Sequence, residues 1–161
     1  MFAHNGTLDK YIGDALMATF GTPDPGRDDA TRALRCARAM LASLAEWTRE
    51  RAAHGEEPVR IGIGVHYGPV VLGNVGGERR LEFTVIGDTV NIAARLEALT
   101  RIQDVALIIS APLVEAVQRE TGDADLAGFV KGEKAPLHGR VGFVSIWTLD
   151  TTRAEILTGH R

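Results

Sequence analysis

Short apolar runs of strand length alternate along this chain with segments whose apolar residues recur at helical spacing, and this alternation constrains the fold more than any other feature. A strand hides its apolar face only under a covering layer, so the pattern calls for a sheet covered by helices, with the α+β and α/β labels left open. At 161 residues and 45% apolar content the chain suits one domain with a sizeable core.

The apolar runs Leu8–Ile12 and Ala15–Phe20 flank Gly13-Asp14, which predicts a β-hairpin. After the loop TPDPGR, Asp28 is positioned to cap a helix with apolar residues Ala30, Leu34, Ala37, Leu41, Leu44 and Trp47, ended by Gly55. Arg60 to Leu72 and Leu81 to Ile86 predict two neighbouring strands, with NVGGERR as the loop between them. Asp88-Thr89-Val90-Asn91 opens a second helix, with Val90, Ala94 and Leu96 to Leu99 as its apolar face. Val105 to Ile109 reads as a buried strand, and Ser110 caps a further helix with Pro112 near its start and Gly122 at its end. Two more strands are expected, near Phe129-Val130 and at Phe143 to Leu149.

Several classes of function are disfavoured. Lys+Arg 18 against Asp+Glu 21 leaves a net charge of -3, so there is no global basic field for nucleic acid or an anionic membrane, and any phosphate binding is local. Cys36 is the single cysteine, which rules out an internal disulfide and fits a reducing, cytoplasmic setting; its spacing suits a buried helical position. The longest apolar stretches, such as Val105 to Ser110, fall far short of the roughly 20 residues that span a bilayer, so no membrane contact by this segment is expected. The N-terminus has no secretory signal. Polar residues run straight into a patterned segment, so Met1 reads as a cut, and a parent protein could still be membrane-anchored.

Gly62-Ile-Gly64-Val-His-Tyr-Gly68 has the outward form of a dinucleotide fingerprint, but Pro69-Val70-Val71-Leu72 continues as strand where a helix N-terminus would be needed. The glycines are better read as allowing close strand packing or a bulge, and His66 as a hydrogen-bonded structural histidine. Asp14 sits at the hairpin tip, where spacing alone favours a turn residue over a functional carboxylate. Asn91 and Arg95, four apart, share one helical face that fits a capped surface helix or an anion site equally.

Taken in order, LDKYIGDALMATFG, IGIGVHYGPVVLGNVGG and EFTVIGDTVNIAARLEALT resemble the catalytic domain of the class III adenylate and guanylate cyclases, over about Asn5 to Lys134. The resemblance implies an α+β, ferredoxin-like core that works as a homodimer, with active sites at the interface built from both protomers. It implies conversion of ATP to cyclic AMP and pyrophosphate, with two Mg²⁺ or Mn²⁺ ions per site. Asp14 matches the second of the family's two metal-binding aspartates. Lys10 and Thr84 match the positions that read the base, and guanylate cyclases place an acidic residue where Lys10 stands, so Lys10 points to ATP. Asn91 matches the residue that orients the ribose and Arg95 the one that stabilises charge at the α-phosphate. Lys131 matches a triphosphate-binding lysine, and Arg79 or Arg80 is a further phosphate candidate. Each site would take Asp14 from one chain and Lys10, Thr84, Asn91, Arg95 and Lys131 from the other.

The chain also departs from the family pattern. The family's domain begins about 40 to 50 residues earlier, so the first strand, adjoining helices and first metal-binding aspartate are expected to be missing here. Pro136 to Gly142 is longer than the family's usual turn, which leaves the register of the last strand open, and Glu133 stands where a basic residue is common, with Lys134 beside it. The expectation is an adenylate cyclase domain in a longer parent and an inactive chain on its own. The rival reading is a non-catalytic cyclase-homology module that dimerises or binds nucleotide for regulation.

Overall fold

The computed structural model describes residues 1–77, 80–136 and 143–149, with the backbone alone at residues 77, 80–82 and 136. After a 3₁₀ turn at Phe2–His4, strands β1 (Thr7–Ile12) and β2 (Ala15–Thr19) form the expected antiparallel hairpin, turned at Gly13 with φ of 64°. Leu8 lies opposite Ala18 and Lys10 opposite Met17, so the register slips at Asp9, the extra residue of a β-bulge.

Helix α1 (Asp29–Ala53) follows, and it buries Ala30, Leu34, Ala37, Leu41 and Leu44 as its spacing foretold. Trp47 departs from that expectation: it is exposed, with the Arg51 guanidinium 5.1 Å from its ring centroid, and Thr48 takes the inward position. The cap differs too. Asp28 occupies the N-cap position, but its carboxylate pairs with Arg32 at 3.0 Å. The free N–H groups of Ala30 and Thr31 donate instead to Glu120, at 3.1 and 2.7 Å. Glu120 belongs to α3 (Ala111–Thr121), so a distant acid satisfies the helix start and ties two helices together.

The segment expected to be one strand from Arg60 to Leu72 is two, β3 (Ile63–Val65) and β4 (Val71–Gly77), with His66 to Val70 outside either. Pro69 has no N–H to give a ladder. β4 continues through Asn74 to Gly77, residues expected as loop, and pairs antiparallel with β5 (Arg80–Ile86) from Val71 opposite Ile86 to Gly77 opposite Arg80. β3 pairs elsewhere, parallel to β6 (Leu107–Ser110).

The main sheet has four strands in the order β3-β6-β10-β7, where β7 is Phe129–Lys131 and β10 is Ile146–Leu149. β10 runs antiparallel to both neighbours, with Ile146 opposite Ser110 and Trp147 opposite Lys131, which answers the open register of the last strand. The expected strand from Phe143 breaks at Ser145, whose carbonyl accepts from Ala111 N–H at 2.8 Å. Before the break, β9 (Phe143–Val144) pairs with β8 (Ala135–Pro136). Residues 137–142, most of the stretch read as longer than the family's usual turn, lie outside the described residues.

Alternation along β6 shows how the layers close. Leu107 and Ile109 pack with Leu34 and Leu41 of α1 and Leu113 and Val117 of α3. Ile108 faces the other way, to Ile92 and Leu96 of α2 (Asp88–Ile102). Two helices therefore cover one face of a mixed sheet and one helix covers the other, an α+β architecture. The buried face of α2 is Ile92, Leu96 and Thr100, four apart, whereas Ala94, expected to face inward, is exposed. Cys36 is buried as expected, and the Ser110 hydroxyl accepts from Leu113 N–H at 3.4 Å as the cap of α3. No helix among the described residues is long and apolar enough to cross a membrane.

Candidate active site

A polar cluster lies where β1 meets β5. The Thr84 hydroxyl donates to Asp9 Oδ2 at 2.7 Å, Val85 N–H donates to Asp9 Oδ1 at 3.2 Å, and Lys10 Nζ stands 3.7 Å from Asp9 Oδ2. The bulge makes this possible. In an unbroken strand Asp9 and Lys10 would point to opposite faces, but the extra residue lets both reach the same side. Thr84 is 4% exposed, and the Asp9 side chain is 7% exposed against 27% for Lys10, so the lysine lies over a buried acid and hydroxyl. Lys10 and Thr84, paired in the sequence reading, are thus brought together through Asp9.

That reading missed Asp9 as their link. Period-two alternation assigns it to the wrong face, and the bulge carries no glycine that would have marked it.

Asn91 and Arg95 project from one side of α2, Asn91 exposed and Arg95 half-buried. Their position depends on how closely α2 approaches the sheet. A Cβ at Gly64 of β3 would stand well inside contact with the backbone nitrogen of Glu97 and the carbonyl oxygen of Ala93. The glycine therefore serves close helix-on-strand packing, a partner different from the neighbouring strand expected for it. Gly87, with φ of 146°, turns the chain from β5 into α2, so Thr84 and Asn91 are joined by one short, defined corner. Thr89 secures that corner by donating to the Pro69 carbonyl at 2.6 Å.

Asp14 stands at the exposed tip of the β1–β2 hairpin. Lys131 lies on β7 with Nζ 5.7 Å from the Trp147 ring centroid, a cation–π contact that holds the ammonium at the sheet surface. Arg79 lies outside the described residues, and Arg80 is described only in its backbone. Among the described residues no cluster of three or more His, Cys, Asp or Glu could hold a metal ion. Asp14 offers one carboxylate, a hard oxygen donor of the kind that would suit Mg²⁺ or Mn²⁺ if substrate phosphates completed the coordination.

His66 behaves as a structural histidine. Its Nδ1 lies 2.7 Å from the Ser110 hydroxyl, and burial pushes its pKa below the ordinary value of 6.5 against a smaller opposing pull from Asp88.

Residues 6–135 match the family described as adenylate and guanylate cyclase catalytic domain, and the chain belongs to that family. It is 42% identical over 113 residues to an adenylate cyclase of Anabaena cylindrica, covering 68% of this chain and 22% of that protein. It is 35% identical over 112 residues to adenylate cyclase 1 of Rhizobium meliloti, covering 70% of this chain and 17% of that protein. The chain thus spans about a fifth of the length of these curated relatives. Among solved structures it resembles the adenylyl cyclase CyaB from P. aeruginosa, with a TM-score of 0.77 and 26% identity over 92% of this chain and 73% of that one. It also resembles the guanylyl cyclase Cya2, with a TM-score of 0.73 and 30% identity over 92% of this chain and 71% of that one.

Proposed function

We propose that the protein carrying this domain is an adenylate cyclase, converting ATP to 3′,5′-cyclic AMP and pyrophosphate in cyclic-nucleotide signalling. The observation that carries the choice of ATP is the Lys10–Asp9–Thr84 cluster, in which a lysine ammonium and a threonine hydroxyl sit side by side through one carboxylate. Lys10 would donate to adenine N1 and Thr84 would meet the exocyclic amine. Adenylate cyclases among the relatives support this reading, though solved cyclases of both kinds share the fold.

In this mechanism Asn91 orients the ribose so that its 3′-oxygen faces the α-phosphorus in line with the departing pyrophosphate. Arg95, one helical turn on, offsets the charge that develops on the α-phosphate. Lys131, with Arg79 or Arg80, holds the triphosphate. Asp14 would hold Mg²⁺ or Mn²⁺ together with the phosphate oxygens, and the cations would supply Lewis-acid stabilisation of the 3′-oxygen and the triphosphate. The sites form between two copies, each taking Asp14 from one protomer and the remaining groups from its partner. Exposed apolar side chains on the two ribbons, Tyr11, Ile12 and Leu16 on the hairpin and Val71, Phe83 and Ile86 on the β4–β5 arm, support such pairing.

The test is substrate preference in the full-length protein. The expected kcat/KM for ATP exceeds that for GTP by ~10⁴ or more, because the wrong base edge leaves buried groups unpaired. Lys10→Glu should erode the preference, whereas Lys10→Ala should mainly lower activity. Comparable rates of cyclic GMP formation by the unaltered enzyme would exclude the reading.

A further inference from the structure

We infer that Asp9 sets the hydrogen-bond polarity of Thr84 and thereby makes the base pocket select a 6-aminopurine over a 6-oxopurine, an inference that rests on the base-reading role proposed above for Lys10 and Thr84. A threonine hydroxyl alone is indifferent, since it can donate to a carbonyl or accept from an amine. What removes the indifference is its surroundings. The Thr84 oxygen has the Asp9 carboxylate at 2.7 Å and the Val85 carbonyl at 3.5 Å, and both are acceptors. The hydroxyl hydrogen is therefore committed inward, and only lone-pair electrons remain for a base. A 6-amino group brings an N–H to those electrons, whereas a 6-oxo group brings a second acceptor against them.

Asp9 is well placed to impose this. Its other oxygen accepts from Val85 N–H at 3.2 Å, so the carboxylate is gripped at both ends by consecutive residues of β5 and cannot turn away. The acid reaches β5 beside Lys10 because the bulge falls at its own position. Thr84 is almost wholly buried, so water does not compete for the hydroxyl. Asp9 makes no contact with the base in this scheme; it is a positioning residue that acts through Thr84.

The discriminating change is Asp9→Asn in the full-length protein, assayed with ATP and with inosine triphosphate. With the asparagine oxygen kept by Val85 N–H, the amide NH₂ falls opposite Thr84 and donates to it. The hydroxyl hydrogen is then released toward the base. Asp9 Oδ2 also lies 3.7 Å from Lys10 Nζ, so the change alters the lysine's pairing as well, and a Thr84→Val background isolates the hydroxyl's share. The expected result is a fall in the ATP-to-ITP ratio of kcat/KM by about ten- to a hundredfold, with ITP turnover maintained or raised. In a Thr84→Val background, where only the lysine's share is left, Asp9→Asn should move the ratio far less. An equal loss for both nucleotides, or the same shift without the Thr84 hydroxyl, would overturn the inference while leaving the ATP reading intact. An unaltered enzyme that fails to favour ATP over ITP overturns the base-reading role itself, and this inference with it. Should Asp9→Asn not fold, as judged by circular dichroism, Thr84→Val alone reads the same contact: it should reduce ATP turnover far more than ITP turnover, and equal reductions would refute the assignment.

Discussion

The imidazole of His66 illustrates how one side chain can look catalytic and be structural. It lies among glycines in a motif shaped like a nucleotide loop, yet its Nδ1 meets the Ser110 hydroxyl that also caps α3. Burial holds its pKa below 6.5. A depressed histidine binds its proton less readily in the folded than in the unfolded chain. Above the ordinary histidine value both states are neutral there and His66 makes no pH-dependent contribution. As pH falls through about 6.5 the unfolded state gains the proton first, so stability declines until the lower folded value is passed. Replacing His66 with Gln should therefore flatten the loss of melting temperature between pH 7.5 and pH 5.5, as followed by circular dichroism. An unchanged slope would show that other groups carry the acid sensitivity. The structural role of His66 was legible because its neighbours in sequence offered no metal ligand. Asp9 as the link between Lys10 and Thr84 was not legible, because that contact depends on a slip in strand register.

Among the elements, α2 bears most directly on the proposed activity, since Asn91 and Arg95, assigned there to the ribose and the α-phosphate, ride on it and Gly64 sets its distance from the sheet. Gly64→Ala should push the helix outward and lower the urea-unfolding free energy by about 1–3 kcal/mol, the usual cost of overpacking. In the full-length protein it should also reduce cyclase turnover at temperatures where the fold is intact, because displacement of a positioning group by an ångström is felt in rate. Full activity with unchanged stability would mean that the helix does not bear on Gly64. The hairpin, α1, α2 and α3 could be read from turn residues, caps and periodicity, all local signals. The segment from Arg60 to Leu72 could not, because its halves belong to different ladders: β3 pairs with β6 and β4 with β5. The start of α1 was misread for the same reason, its acid coming from Glu120 and not from Asp28.

For the whole molecule the resemblance of three ordered motifs disclosed the family, which residues 6–135 bear out. The strand order β3-β6-β10-β7 was beyond reach, because non-local pairing leaves no mark in short windows. The proposed sharing of sites between two copies leads to a prediction about mixtures. In full-length protein, Asp14→Ala and Asn91→Ala each damage every site of a homodimer, but a mixed dimer retains one site free of either lesion. Co-expressed variants should regain up to about half the activity of the parent dimer in the heterodimer fraction, by the count of intact sites. Heterodimers as inactive as either variant would show that each chain builds its site alone.

The hairpin and the β4–β5 arm belong to separate two-stranded sheets, neither continuous with the main sheet, and Asp9 joins them. The groups proposed to read the base are thus divided across a seam between two ribbons. If those groups read the base as proposed, an input that slides one ribbon along the other would change the affinity for it. Reciprocity then requires that a bound base resist the slide by an equal free energy. On the proposed reading, a seam of this kind would let occupancy by nucleotide be sensed wherever the ribbons are attached, without a dedicated second ligand site.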